Sequence, residues 1–198
     1  MSRKTLEIIG TIFENKVLLH LKDKFKDSVV LHNINVYSPS LKKETQIDLV
    51  LINKKGIFVI EAKNFITSMK GTYDDLKWEL RSKDKKAKIV FNSLNQNLIH
   101  IRALNSAFMR HYDKKPFHLY NLICFPDETF LDTDIQEVCN FSDLENKINQ
   151  YLEQSNQCID VQEYTVMVRK INSNEINRQI ELYGIDDPRV THIKAREE

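Results

Sequence analysis

Two apolar runs, QIDLVLI at 46–52 and IFVIEAK at 57–63, joined by Asn53-Lys54-Lys55-Gly56, constrain this chain more than any other feature. β-Branched residues dominate both runs and the connector has turn chemistry, so the pair predicts a β-hairpin. Neither run alternates apolar with polar. Strands of that kind are covered on both faces, as in the middle of an α/β sheet. Three ionic residues interrupt them: Asp48, Glu61 and Lys63. If the hairpin closes symmetrically, with Asn53 opposite Gly56, then Asp48 stands opposite Glu61. Cross-strand partners share a face, with Cβ atoms about 4.5–5.5 Å apart. Lys63, two residues beyond Glu61, points the same way. An asymmetric three-residue loop would instead slip the register and send Asp48 to the other face. A third reading makes the three residues polar strand ends, with Glu61 and Lys63 emerging into water and pairing weakly.

Under the symmetric register the chemistry is specific. Two carboxylates facing each other in an apolar sheet repel strongly if left alone. A divalent cation between them resolves the conflict, and Mg²⁺ takes one or two carboxylates plus waters and substrate phosphate oxygens. A neighbouring lysine can orient or deprotonate the attacking water while the cation stabilises charge on the scissile phosphate. The hairpin then asks for phosphodiester hydrolysis.

The flanking segments supply helices and further strands. Leu6, Ile9, Phe13, Val17, Leu21 and Phe25 recur at steps of three and four, predicting a helix over 4–26. Gly10, Glu14 and Leu18 form a neighbouring stripe, which puts Glu14 beside the buried face. An extended stretch is expected at 28–36 and a second hairpin at 67–80, with Lys70-Gly71 near its turn and Trp78 on its return strand. A second long helix is expected over 93–109, capped by Asn92 or Ser93. A strand follows at 117–125, and Ser142-x-x-Glu145 has the form of a capping box opening a helix that runs to about Gln154. Residues 161–171 fit either strand or helix, and 173–183 fit a helix stopped by Gly184.

Composition narrows the partners. The 198 residues carry 29 basic and 28 acidic side chains, a net charge of +1, which argues against a purely electrostatic nucleic-acid binder. A local patch remains open at 81–88, where Arg81, Lys83, Lys85, Lys86 and Lys88 either meet nucleic acid or form an ordinary solvated loop. His100, one turn after Gln96, could approach a phosphate or simply flank an amphipathic helix. Trp78 could stack on a base or pack beneath the second hairpin. The three cysteines lack metal-ligand spacing, which speaks against a disulfide framework or zinc ribbon and for a reducing cytoplasm. Neither a signal-peptide pattern nor an apolar run of the roughly 20 residues needed to span a bilayer is present.

Asp48, twelve intervening residues and then Glu61-Ala62-Lys63 resemble the PD-(D/E)xK nuclease signature. The wider set resembles one branch of it, the nuclease-related domain (NERD). That set is Gly10 and Glu14, QID at 46–48, GIFVIEAKN at 56–64, Lys70-Gly71, Trp78 and NSLNQNLIH at 92–100, in order over residues 9–108. Phe13 stands where the family often has a second glycine, and Ser93 where it has a proline. The resemblance implies a restriction-endonuclease-like α/β fold, a mixed central sheet flanked by helices. Residues 1–155 would form the nuclease-like domain and 156–198 a C-terminal helical extension packed on it. It implies that Asp48 and Glu61 are metal ligands, joined by the Ala62 backbone carbonyl, and that Lys63 is the catalytic lysine. Glu14 would reach the metal directly or through water, and Gln96 would lie near the metal or the nucleic-acid backbone. The activity implied is hydrolysis of DNA with Mg²⁺, Mn²⁺ substituting, by a single chain, a homodimer or a larger assembly. The alternatives are a non-catalytic or weakly catalytic module that binds nucleic acid or a partner within a DNA-processing or defence assembly, and an RNA-directed nuclease. A degenerate module would be expected to have lost a ligand or the lysine; all three residues are present.

Overall fold

In the computed structural model, which describes residues 3–64, 67–81, 86–114 and 118–173, the two apolar runs form the expected hairpin. The chain runs α1 (Arg3–Lys24), β1 (Val29–Ser38), β2 (Lys43–Asn53), β3 (Gly56–Ala62), β4 (Ser68–Lys70), β5 (Lys77–Arg81) and β6 (Lys88–Phe91). It continues with α2 (Ser93–Tyr112), β7 (Tyr120–Phe125), β8 (Phe130–Asp132), β9 (Val138–Asn140), a short 3₁₀ turn, α3 (Leu144–Gln154) and α4 (Val161–Ile171). The strands build two sheets. One has the order β1-β2-β3-β7-β9, with β7 parallel to β3; the other has the order β6-β5-β4-β8. This mixed α/β architecture, flanked by helices and with a helix at its C-terminal side, is the one expected of a restriction-endonuclease-like fold.

Every residue of β3 is buried, because helices cover both faces of the first sheet. Phe13, Val17 and Leu21 of α1, Phe25 just past its end, and Leu144 and Ile148 of α3 pack with Leu49, Leu51, Phe58 and Ile60. On the other face Ile101, Leu104 and Phe108 of α2 and Tyr164, Met167 and Val168 of α4 pack with Val50, Ile52, Ile57 and Val59. The segment 161–171, open between strand and helix in the sequence, is thus the amphipathic helix α4. Its N-cap is Asp160, which accepts from the Glu163 N–H at 3.0 Å.

Strand alternation changes phase at one point. Val30 lies in the α1 cluster and Ile34 in the α2 cluster, although residues four apart on a regular strand share a face. Asn33 between them has φ of 53°, a left-handed conformation that asparagine tolerates. The β1–β2 ladder runs from His32↔Leu49 to Ile34↔Ile47 and skips the pair Asn33 and Asp48. Asp48 therefore sits where the hairpin changes face.

The structure departs from the sequence reading in three places. Residues 88–91, of which Lys88 ended the expected basic loop and 89–91 carried no assignment, pair antiparallel with β5. The short strands β8 and β9 carry too few residues to show a period. The Ser142-x-x-Glu145 capping box does not form: the Ser142 N–H donates to Asp127 Oδ1 at 2.7 Å, and Glu145 pairs with Lys24 at 3.4 Å. Tertiary partners outcompeted the local cap. The helix expected over 173–183 lies, beyond its first residue, outside the described residues.

Candidate active site

Asn53 pairs with Gly56 and Leu49 with Ile60, so the hairpin closes symmetrically. Tightness at the turn is enforced by β7, since a Cβ on Gly56 would come within 2.5 Å of the Tyr120 ring. The backbone ladder stops one pair short of Asp48 and Glu61. There the Asp48 side chain takes over, its Oδ2 accepting the Ala62 N–H at 2.9 Å. The Lys63 N–H, one residue further, donates to the Cys124 carbonyl at 2.9 Å and ties the end of β3 to β7.

Glu61 is the hub. It is buried, yet it is an acid in an apolar strand, and its oxygens are divided among three partners. Oε1 receives the Lys63 ammonium at 2.5 Å and the Gln96 amide at 2.9 Å. Lys63 also donates to Gln96 Oε1 at 3.1 Å, closing a triangle of Glu61, Lys63 and Gln96. Oε2 faces His100 Nε2 at 3.4 Å, while the other ring nitrogen of His100 bonds the Thr45 hydroxyl at 2.9 Å. Asn92 caps α2 by accepting from Leu94 and Asn95. The first turns of α2 then present Gln96 and His100, one turn apart, to β3.

Electrostatics divide the acids into two groups. Burial alone would raise the Glu61 carboxyl, but the close approach of His100 and the charge and hydrogen bond of Lys63 outweigh it and hold it below the usual range. Asp48 goes the other way. Burial first, then the charge of Glu61, push it up to about 8, against the pull of the Ala62 N–H and Lys63. Glu14 is raised as well, by burial and by Glu61. It rises from the α1 side, and its Oε1 lies 3.9 Å from the place a Cβ on Gly10 would occupy. Three acids thus sense one another around one ammonium. Among the described residues, no three His, Cys, Asp or Glu side chains are gathered into a ready-made metal cage. The oxygens of Asp48 and Glu61 are donors of the kind a hard divalent cation takes together with water.

The chain matches the nuclease-related domain over residues 9–126, more than half its length. It belongs to the NERD family. It is also similar to an uncharacterized protein of Bacillus anthracis, 35% identical over 79 residues. That match covers 40% of this chain and 36% of the relative, so the chain spans only about a third of that protein. No solved structure matches it significantly.

The NERD segment contains every residue singled out for chemistry. Glu14, Asp48, Glu61, Lys63 and Gln96 come from α1, the hairpin and α2 into one interacting group. Ala62 joins it through its N–H. His100 moves. It is 3% exposed and wedged between Thr45 and Glu61, so it belongs to the acid cluster instead of a surface that could meet a phosphate, and it is no solvated helix flank. Arg81, in β5, is exposed and pairs with Glu79; Lys86 and Lys88 are exposed, and Lys83 and Lys85 lie outside the described residues. Trp78 is fully buried, and a Cβ on Gly71 would fall 2.1 Å from its ring, so its role is packing. Thr45 had escaped notice, because nothing local connects it to a histidine 55 positions away. None of the described helices is long and apolar enough to cross a membrane.

Proposed function

We propose that this NERD chain is a nuclease that hydrolyses DNA phosphodiester bonds with Mg²⁺, Mn²⁺ substituting. The observation that carries this reading is the convergence of two acids and a lysine at the end of one hairpin: Asp48 closes the ladder on the Ala62 N–H, and Glu61 is held by Lys63 and Gln96 beside it. Asp48 and Glu61 would hold the cation, with the Ala62 carbonyl and Glu14 completing the oxygen set. The cation would supply Lewis-acid stabilisation of the scissile phosphate and acidify the attacking water. Gln96 fixes the Lys63 ammonium through its carbonyl oxygen and Glu61 through its amide, so both groups are oriented before substrate arrives. Lys63 then offers its charge to the phosphate or its donors to the attacking water. His100 and Thr45 hold the second Glu61 oxygen in place behind the site.

A second reading has its own observation. Glu61 is already engaged by Lys63, Gln96 and His100, an arrangement that would also serve a binding module without chemistry. Cleavage of plasmid and linear DNA in Mg²⁺ or Mn²⁺ separates the two. Wild-type protein should cut, and Asp48→Ala and Lys63→Ala should each lose on the order of a thousandfold or more in rate. Activity that survives both substitutions means the chemistry lies elsewhere; wild-type protein that binds DNA and never cuts it supports the module.

A further inference from the structure

Between Gln96 and His100, the two α2 residues that reach Glu61, stands a third polar side chain that reaches the backbone of the sheet instead. Asn97 is fully buried. Its Nδ2 donates to the Val59 carbonyl of β3 at 2.8 Å and to Asn121 Oδ1 of β7 at 2.7 Å, with the Leu122 carbonyl a longer third acceptor at 3.3 Å. Asn121 returns the contact, its Nδ2 donating to the Leu94 carbonyl in the first turn of α2 at 3.2 Å. A pair of side-chain amides thus ties the start of α2 to two adjacent parallel strands. The tie lies close to the acids. Val59 comes two residues before Glu61, and Asn97 directly follows Gln96.

Adhesion of the helix does not require this clamp. Ile101, Leu104 and Phe108 already pack α2 on Val50, Ile52, Ile57 and Val59. Such burial is non-directional and holds a helix down without fixing where along a strand it rests. Hydrogen bonds to fixed carbonyls are directional, so Asn97 sets the register. It does so at a cost, because its Oδ1 is buried with no hydrogen-bond partner among the described residues. A leucine would fill a similar volume without that orphan. The neighbouring residue explains why register matters here. Gln96 spans Glu61 at 2.9 Å and Lys63 at 3.1 Å. One residue of helix rises about 1.5 Å, and a slide by part of that step misaligns both contacts.

We propose that Asn97 is a positioning residue: its amide fixes the register of α2 against β3 and β7 and so holds Gln96 on Glu61 and Lys63. Only its effect on a cleavage rate rests on the nuclease reading. The experiment follows the Gln96 side-chain amide of the full chain by proton–nitrogen NMR in EDTA, the signal assigned by its loss in Gln96→Ala. In wild type, protons of that amide should exchange with solvent on the order of tenfold more slowly than those of exposed glutamines. Asn97→Leu, which keeps the volume and loses the donor, should bring exchange to the exposed rate. Asn121→Ser removes the other half of the clamp from 24 positions away and should shift exchange in the same direction. A thermal melt close to wild type establishes that each variant is folded; should Asn97→Leu not fold, Asn121→Ser, at a half-buried position, carries the test. Full protection of the Gln96 amide in the folded variants overturns the proposal. Where the wild type cuts DNA, Asn97→Leu should slow it on the order of a hundredfold. Asn97→Leu added to Gln96→Ala should then slow cleavage no further than Gln96→Ala alone. Losses that multiply overturn the proposal, because Asn97 would then act by another route. Protection that is lost as expected in a protein that never cleaves would defeat the nuclease reading alone.

Discussion

The two sheets break the same rule in opposite directions. In the first, charges sit where apolar residues belong: Asp48 and Glu61 interrupt a hairpin whose other β3 positions are all apolar and buried. In the second, Ile89, Phe91 and Phe130 sit where charges belong, on a face open to water. Each departure has a free-energy cost that packing does not recover. Burying a carboxylate requires partners, and leaving a phenylalanine wet forgoes roughly 25 cal/mol for each Å² that could have been buried. The first sheet meets its cost with Lys63, Gln96, His100 and Thr45. The described structure contains nothing comparable over the second. The cost in the first sheet is met inside the fold, and in the second it is not.

The contrast can be broken most sharply through stability. Leu49, fully buried between α1 and the sheet, should cost about 2–5 kcal/mol when cut to alanine. Ile89→Ala on the open face should stay within about 0.5 kcal/mol of wild type. Urea unfolding measures both; a large loss at Ile89 would mean that the second face is covered after all. The brace comes next in size. Thr45→Val and His100→Ala should each weaken Mn²⁺ binding, read by calorimetry without DNA, by about 10- to 100-fold. His100→Gln should recover part of it. Unchanged affinity in all three would reduce the Thr45–His100–Glu61 chain to packing.

The smallest effect concerns protons. Asp48 titrates near 8 in the folded chain, well above its value of about 3.9 when unfolded. The folded state therefore binds the proton more tightly, and the stability this confers is fully present below about pH 4 and is lost as pH rises through about 8. In chelator, the melting temperature should fall by several degrees between pH 6 and pH 9, while Asp48→Asn should flatten that decline. Mg²⁺ should also flatten it, by taking the place of the proton between the acids. A wild-type profile identical to that of Asp48→Asn would show that the two carboxylates do not interact as described.

Much of the first sheet was legible in the chain itself. Apolar runs without alternation announce burial on both faces, and the Asn53–Gly56 turn leaves a register that brings Asp48 toward Glu61. The 3.6-residue period located α1 and α2 and put Glu14 beside the buried face of α1, while Gln96 was singled out by the family resemblance. These features are local, and local backbone geometry determines them. The tertiary structure decided what local pattern cannot encode. It skipped the Asn33 and Asp48 pair, which moved the carboxylate to the point where the hairpin changes face. It turned His100 inward to meet Thr45 and Glu61, redirected Ser142 and Glu145 away from their box, and assembled a second sheet from strands of three to five residues. Periodicity states that a face will be covered; only the packed chain states by what, because burial is a property of the neighbours and they come from anywhere in the sequence.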